Sequence, residues 1–177
     1  MSTPGRPKGE FRSAQHEGTP VSLIALRPVT RHNVRPLCDL DAGDGGIQVA
    51  SNAKSMAQAA VYGEAWPRAI YAGDTPVGFL MLYDPSLIAE PEDAEFMLWR
   101  MMIDKTQHRR GYGQAALRLL IEHVKTRPHA GELLTSIVEP APQLLAFYGS
   151  VGFVPTERIQ DGERVLRLAL PPLQGLR

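Results

Sequence analysis

Past a polar opening stretch, the apolar residues of this chain recur either at every second position or at helical spacing, and the two patterns divide it into elements. Residues 1–20, MSTPGRPKGEFRSAQHEGTP, offer almost nothing to bury and read as a disordered extension. Order is expected from residue 21 to residue 173 as one domain, starting with the β-prone run VSLIALRPV. Thr30 is placed to cap a helix through RHNVRPLCDLDA, with Pro36 in its early turns or interrupting it. GDGG at 43–46 reads as a loop, and Ser51 or Asn52 can cap a second helix over AKSMAQAAVYGEAW.

The period then shortens. RAIYA and VGFLMLY flank GDTP, a turn signal that predicts an antiparallel hairpin. AEFMLWRMMID carries bulk on both faces, as a central strand covered on two sides does. Helical spacing returns from about Gly111 to Lys125, where Tyr112, Ala116, Leu119, Leu120 and Val124 recur and Pro128 disfavours continuation past Arg127. ELLTSIV predicts a buried strand, PQLLAFYGSV a short helix, and FVPTERI with RVLRLAL a closing hairpin over Asp161-Gly162. The resulting order is strand, two helices, three strands, helix, strand, helix, two strands. It implies an α/β fold, a mixed sheet flanked by helices with a strand–helix–strand unit at its centre.

Composition narrows the function classes. At 177 residues and 44% hydrophobic content, one well-buried core is expected. Nineteen basic side chains balance nineteen acidic ones, which argues against nucleic acid as a partner. No run approaches the roughly 18 apolar residues of a membrane span, and no signal peptide is evident, so no membrane partner and a cytoplasmic setting are expected. The single Cys38 reads as a small buried thiol in a helix.

The chemistry concentrates in QHRRGYGQAAL, residues 107–117, where a strand gives way to a helix. Gly111 and Gly113 remove side chains where a ligand must approach, the first amides of the helix lack partners, and Arg109 and Arg110 add positive charge. A pyrophosphate suits this arrangement; the other reading is a tight loop with solvated arginines. A phosphate-binding G-x-x-x-x-G-K-[ST], a G-x-S-x-G elbow and metal-ligand spacing among the five histidines are all missing, so neither a nucleotide triphosphatase nor a triad hydrolase nor a metalloenzyme is expected.

MIDKTQHRRGYGQAALRLLIEHV resembles the acyl-CoA-binding motif of the GNAT superfamily of N-acetyltransferases, in which a strand leads into [Q/R]-x-x-G-x-[G/A] and a helix. Here the motif falls on His108, Arg109, Arg110, Gly111, Tyr112 and Gly113. LLAFYGSVGF at 144–153 is similar to the family's second landmark, a short helix with a tyrosine ending in Gly-Phe. Within the superfamily, VASNAKSMAQA and RAIYAGDTPVGFLMLYD look most like bacterial spermine/spermidine (diamine) acetyltransferases.

The resemblance implies a mostly antiparallel GNAT-like sheet, with acetyl-CoA held by Met101, Met102 and Ile103 along the pantetheine arm and by His108–Gly113 with Gln114 at the pyrophosphate. An amide near Met102 would polarise the thioester oxygen, and Tyr148 would protonate the departing thiolate. The acceptor would be a primary amine of a small molecule such as a polyamine; a protein, amino-acid or aminoglycoside amine, or a non-catalytic acyl-CoA-binding module, are the alternatives. At pH 7 only on the order of one such amine in a thousand is neutral, so a base is needed, and Glu95 and Glu139 are the candidates. Asp39, Asp41, Asp44, Glu64, Glu90, Glu92 and Asp93 are further carboxylates available to a polyamine, and Trp66 and Trp99 can line its pocket or fill the core. The family also implies a homodimer built on the terminal hairpin. Three positions depart from its pattern: His108 replaces glutamine or arginine, Ala141 an asparagine, and Gln48 a bulky residue.

Overall fold

The computed structural model describes residues 23–171, so the expected disorder of 1–20 lies outside the described residues, as do the first two and last two positions of the expected domain. Seven strands form one sheet in the order β1-β2-β3-β4-β5-β7-β6. In chain order they are β1 (Ile24–Pro28), β2 (Ala65–Ala72), β3 (Thr75–Tyr83), β4 (Met97–Ile103), β5 (Glu132–Ile137), β6 (Val154–Gln160) and β7 (Glu163–Ala169). Four helices cover it: α1 (Val34–Cys38), α2 (Asn52–Ala59), α3 (Tyr112–Lys125) and α4 (Pro142–Gly149). Every neighbouring pair is antiparallel except β4 and β5, the two strands joined through α3. The expected mixed sheet with a central strand–helix–strand unit is therefore the fold.

Both early helices are shorter than their sequence suggests. Pro36 occupies the first turn of α1, and the helix ends after Cys38 instead of running to Ala42. Ser51 caps α2 by accepting from the Lys54 amide at 3.3 Å, but α2 stops at Ala59, and Ala65 and Trp66 belong to β2. Gly63 lies in the turn between the two elements, where a Cβ would meet the Ile88 side chain at 2.8 Å and oblige it to shift. Pro67 is tolerated within β2 because β1 reaches only to the Pro28↔Arg68 pair. The final hairpin closes over Asp161 and Gly162, both at positive φ.

Two apolar layers hold the sheet. Leu80, Leu82, Leu98, Leu117, Leu120 and Leu133 are buried together under α3 and α4. On the other face, Phe79, Met81 and Met102 pack with Met56 of α2 and Leu40 and Val49 of the flanking loop. β4 contributes to both layers, as its bulk on two faces predicts. Among the described residues, no helix is long and apolar enough to cross a membrane.

Candidate active site

The site originates in an irregularity of β4. Leu82 pairs with Leu98 and Met81 with Arg100, so Trp99 is an extra residue, a β-bulge at mid-strand. On the other side, β4 pairs with β5 only through Met97↔Leu134 and Leu98↔Thr135. Beyond those two pairs the strands part, and the gap is a cavity of about 570 Å³ lined by both strands, the loop after β4, α4 and the α1–α2 loop.

The bulge also reverses which backbone groups face the gap. Before it, the Phe96 carbonyl accepts from the Leu134 amide of β5 at 2.9 Å. After it, Asp104 donates to the Val77 carbonyl at 2.9 Å, so the two-residue repeat turns the amides of Asp104 and Met102 toward β3. The amides of Met101 and Ile103 face the cavity. All three residues whose backbone is expected to hold the pantetheine arm line it, but the amides turned toward it are those of Met101 and Ile103, not that of Met102. Gly78 keeps β4 in place from the side of β3, since a Cβ there would meet the Met102 carbonyl oxygen at 2.4 Å.

At the C-terminal end of β4, Asp104 accepts from the amide and hydroxyl of Thr106 at 2.9 and 2.6 Å and from the Asp41 amide at 3.0 Å. These bonds, with the Lys105–Asp41 ion pair at 2.7 Å, fasten the turn to the α1–α2 loop. Lys105 and Asp41 reinforce each other's charge: the hydrogen bond between them lowers the Asp41 pKa and raises that of Lys105. A His108 ring nitrogen lies 2.8 Å from the Ile103 carbonyl, so the histidine pins the turn to the strand. Arg109 and Gly111 both take positive φ, 61° and 78°, and Gly111 begins α3 with no side-chain cap. The first α3 amide bonded within the helix is that of Ala115, which reaches the Gly111 carbonyl at 3.1 Å. Consecutive amides in such a turn form a concave anion site. A Cβ at Gly113 would make ordinary contacts with Ile103 Cγ1 and Phe147 at 3.4 Å, so packing alone does not demand glycine there.

Tyr148 of α4 lies deep in the cavity wall, 7% exposed and edge-on to Phe147 and Phe153. Burial raises its hydroxyl pKa above the ordinary tyrosine value, opposed by a hydrogen bond with the Thr135 side chain. Thr135 Oγ1 donates in turn to the Leu98 carbonyl at 3.1 Å, where β4 and β5 separate.

The cavity thus brings together Met101, Met102, Ile103, His108, Arg109, Gly111, Tyr112, Gly113, Gln114 and Tyr148. Arg110 is exposed and outside its lining. Neither candidate base lies in it. Glu95 precedes β4, at the end remote from the 107–113 turn, and is ion-paired to Arg158 at 2.5 Å; Glu139 is held by Arg164 at 3.1 Å. The one carboxylate in the lining, Asp44, is occupied by the Gly46, Gln48 and Val49 amides at 2.9, 2.9 and 3.2 Å.

Sequence reasoning overlooked Arg100, and it singled out Gln48 only as a departure from the family pattern. Arg100 is half-buried in the cavity wall; its Nη1 donates to the Trp99 carbonyl at 2.6 Å, and its Nε is buried without an acceptor. Burial lowers its pKa. Its position in an apolar run was the available signal, since a cation there needs a reason.

Comparison with known proteins bears on this arrangement. A family model described as "Acetyltransferase (GNAT) family" matches residues 50–153, more than half the chain. No curated protein matches. Among solved structures, an acetyltransferase from Thermus thermophilus superposes with a TM-score of 0.67 at 16% identity, over 86% of this chain and 99% of that one. The PaiA N-acetyltransferase from Thermoplasma acidophilum, solved with coenzyme A, gives 0.60 at 14% identity over 83% and 99%. A variant of the spermidine N-acetyltransferase SpeG from Vibrio cholerae gives 0.63 at 11% identity over 84% and 94%. At these identities the likeness is one of fold.

Proposed function

The chain belongs to the acetyltransferase (GNAT) family, whose cosubstrate is acetyl-CoA, and from that premise we propose that it passes the acetyl group directly to a primary amine of a small molecule at the β4–β5 cavity. The observation that carries this reading is the unpaired edge of β4, which runs from the glycine turn at one end of the cavity to the level of Tyr148.

The residues present suit the cosubstrate. Acetyl-CoA supplies a thioester-activated acetyl group. Met101 and Ile103 offer outward amides to its extended arm in the manner of an added strand, and Met102 packs from the opposite layer. The turn formed by His108, Arg109, Gly111, Tyr112, Gly113 and Gln114 offers backbone donors and one arginine to the pyrophosphate, with Arg110 adding charge from outside the wall. An amide of Met101 or Ile103 is also the available donor for an oxygen on which negative charge develops. A tyrosine hydroxyl ordinarily titrates near 10 and burial raises that of Tyr148, so it carries a proton at neutral pH that it can give to a leaving thiolate.

No base is assigned to Glu95 or Glu139, given their ion pairs. The acceptor amine is instead proposed to lose its proton to water before it enters. Two acceptor classes differ in charge. Polyamines are supported by the diamine-acetyltransferase-like stretches of sequence, whereas Arg100 in the cavity wall favours an amine that also carries an anionic group. The test is CoA release from acetyl-CoA by the purified protein with diamines, spermidine, spermine, amino acids and aminoglycosides at matched concentrations. Saturable turnover with any small amine supports the proposal. Acetyl-CoA binding without turnover across the panel contradicts it and points to a protein amine or a non-catalytic acyl-CoA module.

A further inference from the structure

We propose that Arg100 is the specificity residue for the acceptor, and that it selects amines bearing an oxyanion, a carboxylate or a phosphate, near the reacting nitrogen. The inference rests on the acetyltransferase reading above and assigns its substrate class.

The argument begins from an unbalanced charge. A guanidinium withdrawn from water normally acquires an ion pair and fills its five donors. Arg100 has neither. Its Nη1 donates to the carbonyl of its own neighbour Trp99, and among the described residues its Nε has no acceptor and no carboxylate stands within 4 Å of it. The Glu163 carboxylate attracts it only from beyond ion-pair distance and is hydrogen-bonded instead by Ser136 Oγ at 2.5 Å. The guanidinium lies 5.5 Å from the centre of the Trp99 ring, which gives it a weak cation–π contact and leaves the remaining N–H groups available.

Position identifies what would use them. Arg100 lines the same cavity as the glycine turn but sits on β4 before Met101, with the whole Met101–Ile103 edge and residues 104–108 between it and Arg109. Three strand residues alone span roughly 10 Å. The cosubstrate's phosphates belong at the turn, so they do not neutralise Arg100. The acceptor must approach the acetyl group from the remaining part of the cavity, where the wall includes Arg100, Trp99, Gln48, Val49 and Asp44, whose carboxylate is taken up by loop amides. A planar fork of donors there matches a carboxylate or phosphate with two hydrogen bonds and repels an acceptor carrying only ammonium groups.

The experiment compares acceptors that differ by the anionic group alone: ornithine with putrescine, lysine with cadaverine, and phosphoethanolamine with ethanolamine. For each, kcat and KM are measured for the wild type, Arg100→Gln and Arg100→Lys, with calorimetric binding to the CoA-loaded protein as a second readout. The wild type should prefer the anionic member of at least one pair by about tenfold or more in kcat/KM, mostly through KM. Arg100→Gln should bring that ratio close to one, and Arg100→Lys should restore part of it. The amino-acid pairs and the phosphate pair decide between carboxylate and phosphate. Equal or greater use of the member without the anion, a preference untouched by Arg100→Gln, or neither turnover nor binding of any anionic amine overturns the inference. Turnover of diamines without such a preference leaves the acetyltransferase reading standing, so the two failures are separate. Thermal melting confirms that Arg100→Gln is folded, and Arg100→Lys keeps the charge if it is not.

Discussion

The side-chain amide of Gln48 pairs with both backbone groups of Val138, donating to its carbonyl at 2.8 Å and accepting from its amide at 3.1 Å, across ninety residues of sequence. Gln48 therefore acts as one residue of strand beyond the end of β5 and ties the α1–α2 loop to the open end of the sheet. The loop is shaped for this by Asp44, whose carboxylate gathers the amides of Gly46, Gln48 and Val49.

Replacing Gln48 with Ala should free the loop, leaving the Val138 groups to water. A loss of about 1–2 kcal/mol of stability is expected, with the acceptor KM raised severalfold and acetyl-CoA affinity changed less than twofold. Thermal melting, steady-state kinetics and calorimetry together check this. An unchanged acceptor KM would mean that the loop does not shape the acceptor side.

Gly78→Ala addresses the opposite edge of β4. The new methyl would collide with the Met102 carbonyl, which is backbone and cannot rotate away. β4 must shift, so stability should fall by about 1–3 kcal/mol and acetyl-CoA affinity with it. A variant with wild-type affinity would show that the position of the β4 edge does not matter to the cosubstrate.

Tyr148→Phe removes the hydroxyl and retains the ring that packs against Phe147 and Phe153. Turnover should fall on the order of 10²-fold while acetyl-CoA affinity stays within about twofold. Undiminished kcat would remove Tyr148 from the chemistry.

Below neutral pH, stability should depend on His123. Its ring stacks on Trp66 at 4.0 Å, and burial first, then the Arg127 and Arg68 charges, lower its pKa, with Asp84 opposing. With the folded pKa below the ordinary value near 6.5, the unfolded chain takes up the proton first as pH falls. The stabilisation is thus full above about pH 6.5 and is lost as pH falls toward the folded pKa. The melting temperature should drop between pH 7.5 and 5.5, and His123→Gln should show a smaller drop. An equal drop in the variant would assign the effect to other groups.

Much of this architecture was legible because its signals are local. The hairpins, α3 and the buried strands follow from apolar spacing and turn residues, and the glycine turn from Gly111 and Gly113 at a strand–helix junction. The ends of α1 and α2 were not, since the alanine-rich run of α2 gives no stop signal and Pro36 can sit in a first turn as readily as interrupt a helix. The β4 bulge has no sequence signature, so the amide facing the cavity was displaced by one residue in the reading. Glu95 and Glu139 looked free because their partners, Arg158 and Arg164, lie on the last hairpin. Gln48 and Arg100 owe their significance to the cavity wall, which forms only when β4 and β5 separate.

The central claim is that the gap between β4 and β5, closed at one end by the turn at Gly111, holds acetyl-CoA. Calorimetric titration of acetyl-CoA into the wild type and Gly111→Val tests it most directly, because valine is strained at a φ of 78° and should distort the turn at an exposed position. Saturable binding by the wild type, weakened at least tenfold in a variant that still melts cooperatively, is the expected result. No binding by the wild type, or equal affinity in the two proteins, would contradict the account.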